Sequence, residues 1–108
     1  MSKLDLVTEI GDVLTQVDQI LSAPGFSPES QQWHTLFALR KHLDDQQREL
    51  VRAIFEEDDA QFKDIAEQLS DAADRLEQTG KDIAKIGSIL DTVSTIASLA
   101  DKALNFVA

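Results

Sequence analysis

Cysteine and tyrosine are missing from this chain, tryptophan and methionine occur once each, and proline only twice. Without cysteine there is no disulfide framework, no thiolate zinc site and no cysteine nucleophile, which is compatible with a reducing compartment. No stretch reaches the ~18 consecutive apolar residues expected of a membrane span. Met1-Ser2-Lys3-Leu4-Asp5 lacks the basic segment and long apolar run of a secretory signal. The expectation is a soluble protein of the cytoplasm. Bases are scarce as well: 10 Lys and Arg stand against 20 Asp and Glu, a net charge of -10. That charge repels phosphate backbones, so nucleic acid is disfavoured and a basic protein partner is favoured.

Chemistry-bearing patterns are equally thin. There is no glycine-rich phosphate loop, no Gly-x-Ser-x-Gly elbow and no catalytic lysine motif. His34 and His42 lie eight residues apart, whereas helical metal sites pair ligands three or four apart. His42 with Asp45 or Gln46 has a suitable spacing but offers too few good ligands. Glu56-Glu57-Asp58-Asp59 lacks the alternating ligands and central glycine of an EF-hand loop. The many carboxylates fall on faces that solvent would wet, where nothing raises a pKa for acid catalysis. The expectation is no enzyme, no metal, no cofactor and no small-molecule substrate.

What the sequence does contain is helical periodicity. Leu6, Ile10, Val13, Val17 and Ile20 form one stripe, broadened by Val7, Leu14 and Leu21. Gly11 inside it weakens the helix by ~1 kcal/mol relative to alanine, or permits close approach of a neighbour. Ala23-Pro24-Gly25-Phe26 breaks the chain. Ser27 then reads as an N-cap, with Pro28 first in the next helix. The seam of that helix is Trp33, Leu36, Arg40, Leu43, Gln47, Leu50 and Ile54. Arg40 and Gln47 interrupt it, so part of this seam is expected to be wet or paired with an acid.

Four acids at 56–59 oppose the macrodipole of a helix C-terminus and suit an N-terminus. A turn near Glu57-Asp58 follows, with Asp58 or Asp59 capping the third helix; a single long helix with a skip residue is the alternative. From Phe62 onward two columns interleave without interruption, apolar except for Thr79. One is Phe62, Leu69, Leu76, Ile83, Leu90, Ala97 and Leu104. The other is Ile65, Ala72, Thr79, Ile86, Val93, Ala100 and Val107. These are the a and d lines of a helix packed along its whole length. A column of small residues beside them (Ala66, Ala73, Gly80, Gly87, Ser94) favours one straight helix with a close neighbour.

The expected fold is therefore all-α, one helical domain over 1–108. Three helices near 4–22, 28–56 and 59–106 would form an antiparallel bundle or coiled coil with a long C-terminal helix. The alternative is a four-helix bundle with a turn at Thr79–Asp82, where Gly80 closes one helix and Asp82 caps the next.

Two surfaces are candidates for function. The segment from Ile83 on is apolar with Ser and Thr for its polar face, and a three-helix hairpin would leave much of it exposed. Ile83, Ile86, Leu90, Val93, Ile96, Leu99 and Leu104 are the expected interface, for a partner protein or a second copy. Asp64, Glu67, Asp71 and Asp74 are the expected acidic face, steering encounter with a basic partner. The expected function is a non-enzymatic helical interaction module, in one form a toxin-neutralising protein of the immunity or antitoxin type. The alternatives are a structural assembly or chaperone component, or a membrane-active helical protein; the last is weakened by the lack of a Lys/Arg-rich polar face.

Overall fold

Each apolar stripe finds its place in a bundle of four α-helices. The computed structural model describes residues 3–53 and 59–105. The helices are α1 (Lys3–Leu21), α2 (Gln31–Arg52), α3 (Ala60–Thr79) and α4 (Ile86–Leu104), with a 3-10 turn at Ile83–Lys85 leading into α4. The all-α class holds.

Capping explains the boundaries. Helix α2 begins three residues later than proline at 28 suggested, because Ser30 is the cap and its hydroxyl accepts from the Trp33 N–H at 3.1 Å. Ser27 instead organises the turn before it: its carbonyl accepts from the Ser30 N–H at 3.0 Å and from the Ser30 hydroxyl at 2.8 Å. Gly25 supplies the left-handed residue that reverses the chain, with φ 85°. Helix α2 ends at Ala53, which is extended, so helices two and three are not one rod. The expected turn at Glu57-Asp58 lies outside the described residues. Asp59 caps α3, its carboxylate accepting from the Gln61 N–H at 2.7 Å and the Phe62 N–H at 3.3 Å.

The third helix corrects the expectation of a continuous rod to 106. It stops at Thr79; Gly80 is its C-cap, and Asp82, at φ -119° and ψ 101°, is extended. The Asp82 carboxylate accepts from the Ala84 N–H at 3.1 Å and starts the turn into α4. The four-helix alternative is the one observed.

Two hairpins, α1–α2 and α3–α4, lie side by side, with α1 against α3 and α2 against α4. Cross-contacts set the directions. Lys3 Nζ donates to the carbonyls of Val51 and Ala53, and Trp33 Nε1 donates to that of Leu21 at 2.9 Å, so α1 and α2 are antiparallel. Ser70 Oγ donates to Glu9 at 2.8 Å while Gly80 lies beside Ile20, so α1 and α3 run the same way. The core lies between the pairs: Leu6, Ile10 and Val17 from α1, Leu36, Leu43 and Leu50 from α2, Phe62, Leu69 and Leu76 from α3, and Ile89, Val93 and Ile96 from α4 are all fully buried. At about 25 cal/mol per Å² of apolar surface removed from water, these side chains are the main stabilising term.

The irregular positions of α2 resolve as side-chain ties. Arg40 pairs with Asp18 at 3.0 Å, and Gln47 Nε2 donates to the Val7 carbonyl at 3.1 Å. Gly11 permits the second approach, since a Cβ there would stand 3.1 Å from Gln47 Nε2.

Candidate interaction surface

The four-helix arrangement divides the expected apolar interface in two. Val93, Ile96 and Leu99 face inward and are buried in the protein's own core; Ile96 is fully buried and Leu99 5% exposed. They are corrected from interface to core, because the turn at 80–85 folds α4 back onto α2 and α3. Ile83, Ile86, Leu90 and Leu104 are half-buried along the edge of that core. Ile83–Leu104 is long and apolar enough to cross a membrane by length and composition. Its inward face is spent on the bundle.

The reason the columns misled is a rotation. In α3 the column Phe62, Leu69, Leu76 is fully buried, but its continuation Ile83, Leu90 and Leu104 is only half so. In α4 the fully buried column is Ile89, Ile96, Ala103, one residue earlier. Helix α4 touches two neighbours and has a correspondingly broad apolar arc.

Asp64, Glu67, Asp71 and Asp74 are all exposed along the outer ridge of α3. Gln68 Nε2 donates to Asp64 at 2.8 Å. Asp71 and Asp74, with Gln68, Arg75, Thr95 and Leu99, line a shallow groove between α3 and α4.

The packing order adds something the linear sequence hides. Helices α1 and α3 form one layer and together carry nine acids against three bases, a net of -6. Helices α2 and α4 form the other, with five acids against five bases. One broad face of the bundle is strongly acidic and the opposite face is neutral. A groove at the far end of the acidic layer is lined by Gln16, Gln19, Ile20, Glu77, Gly80 and Lys81, among others.

Helix α2, in the neutral layer, carries a cluster of ring side chains. Trp33 stacks on Phe37 with centroids 5.2 Å apart, and Lys41 Nζ lies 5.8 Å from the Phe37 ring centre. His34 packs edge-on to Trp33 at 5.4 Å. Phe37 remains 40% exposed. His42 stands apart from His34 and reaches Asp101 at 3.5 Å. Among the described residues, no three His, Asp or Glu side chains stand close enough to share a metal ion.

The polar group that sequence reasoning missed is Gln46. It is 2% exposed, and its Nε2 donates to the Ala97 carbonyl at 2.8 Å and to Asp101 at 2.6 Å. Both partners are acceptors, which fixes the amide orientation and leaves Oε1 buried without a partner. The amide ties the two hairpins together. No signal in the sequence separates it from its neighbour Gln47. The Arg40 pKa is raised by its hydrogen bond to Asp18, against some loss of hydration, and further by the charges of Asp18 and Asp44.

No protein-family model, curated protein or solved structure matches this chain.

Proposed function

We propose that this protein is a non-enzymatic interaction module of the cytoplasm whose acidic α1–α3 face docks a basic protein. The observation that carries the reading is the segregation of charge, -6 on one layer and zero on the other. An evenly spread excess would serve solubility alone; a one-sided excess also orients a basic partner as it approaches. The exposed ridge of Asp64, Glu67, Asp71 and Asp74 supplies four of the acids of that layer. Neutralisation of a basic toxin surface is one form such docking takes.

The test is affinity capture from extracts of the source cells by immobilised protein, followed by mass spectrometry and a salt titration. A partner of high isoelectric point should be retained at 0.1 M salt, where the Debye length is about 10 Å, and released as screening shortens that range. The double change Asp71→Lys and Asp74→Lys should abolish capture while leaving the helical circular dichroism unchanged. A partner retained in molar salt and indifferent to the charge reversal would refute the reading.

A further inference from the structure

We propose that two copies of this chain exchange α4, each straightening the turn at 80–85 into a continuous helix. This inference does not depend on the acidic-face reading. The turn is built of residues that all tolerate a helix. Between Thr79 and Ile86 there is no proline and no residue at positive φ. Helices often close with a left-handed glycine, but Gly80 sits at φ -66° and ψ -12°, already right-handed helical. Ile83–Lys85 already form a 3-10 turn, and Ile86 is helical. Asp82, extended at ψ 101°, and Lys85, at φ -96° and ψ 25°, are the departures that straightening must remove.

Two further observations point to a second copy as the occupant. The apolar columns of α3 continue in phase through the turn, so a straight helix would present Ile83, Ile86 and Leu90 in line with Leu69 and Leu76. In the closed bundle those three stay half-buried. In an exchanged dimer the two long helices cross near the hinge, and the three residues meet their counterparts there. The rest of α4 repeats its packing against the α2 and α3 of the other chain, so little core is lost.

Gly80 makes the balance adjustable. A Cβ at this position in the closed turn would lie 2.7 Å from the Leu76 carbonyl oxygen and 3.2 Å from Ile20 Cδ1. The first neighbour is backbone and cannot move aside cheaply. Both neighbours belong to α3 and its packing on α1, which the exchanged form keeps, so alanine acts through helix propensity. Position 80 closes α3 in the bundle but is interior to a straight helix, where alanine is the better residue by roughly five-fold per chain. Ile83→Pro has the opposite sense. Position 83 is the first after the Asp82 cap, where a proline is accommodated, but inside a straight helix it would remove a hydrogen bond and clash.

The test is refolding from denaturant at high protein concentration, then size separation with light scattering and small-angle X-ray scattering. Wild-type protein should give a minor dimer that survives dilution for hours, because release of α4 requires opening the core. Gly80→Ala should raise the dimerisation constant roughly 25-fold, about five-fold for each of the two chains, and Ile83→Pro should eliminate the dimer. The dimer should contain rods of roughly 70 Å at 1.5 Å per residue, against a longest extent of 43 Å for the closed chain. Purely monomeric Gly80→Ala, a dimer equally abundant in Ile83→Pro, or one that dissociates at once on dilution would each overturn the proposal.

Discussion

Residues 22–30 reverse the chain with Pro24, Pro28 and a glycine at φ 85°, whereas residues 80–85 do so with no proline and no left-handed residue. The first connection admits one outcome, since no helix passes through Pro24-Gly25 and Pro28 in those conformations. The second is held closed by tertiary packing and by the Asp82 cap. A hairpin can therefore be written locally, in its turn, or globally, in the core it closes upon. The first kind fixes the reversal locally; the second leaves another pairing available to the same residues.

The largest effect separating the two should come from the core that holds α4 shut. Ile96 is fully buried, so Ile96→Ala should cost about 2–5 kcal/mol in denaturant unfolding. A loss below ~1 kcal/mol would mean that α4 adds little to the bundle, and the contrast between the hairpins would fail.

A smaller pair of changes sharpens the contrast at the glycines. A Cβ at Gly25 meets nothing within 4 Å, so the cost of Gly25→Ala is purely conformational, about 1–2 kcal/mol. Gly87 also has open space and lies in α4 without a positive φ. Gly87→Ala should raise stability by up to ~1 kcal/mol. Thermal unfolding of the two proteins should thus move in opposite directions.

The smallest effect belongs to Arg40→Ala. Its pair with Asp18 is solvent-facing, with side chains 30% and 54% exposed. Such a pair contributes about 0.2–1 kcal/mol and fades with salt. A raised folded-state pKa contributes stability below the ordinary arginine value, lost only as pH rises through the still higher folded one. Stability measured between pH 5 and 9 should therefore show no step that Arg40→Ala removes.

Much of the bundle was written plainly in the residues. Every member of the α1 stripe, from Leu6 to Ile20, is buried, and Asp59 caps α3 as its charge suggested. Arg40 found its acid in Asp18. The end of α3 was less legible because its two signals conflicted. Gly80 and Asp82 mark a boundary, while the apolar columns run through it. Periodicity reports which faces are apolar, not whether the backbone bends between them. The core rotation from Leu90 to Ile89 follows from the extended Asp82 and the 3-10 turn after it, which break the helical phase between α3 and α4. The acidic face is a fact of topology: the acids of α1 and α3 are far apart in sequence, and only parallel packing makes them one surface.

The measurement that bears most directly on the difference between the two connections is light scattering on Gly25→Ala and Gly80→Ala proteins, refolded in parallel at high concentration. Both changes disturb a turn, but only the second turn can become helix. A persistent dimer from Gly80→Ala, with Gly25→Ala remaining monomeric, is the expected result. Dimers in equal amount from both, or from neither, would contradict it.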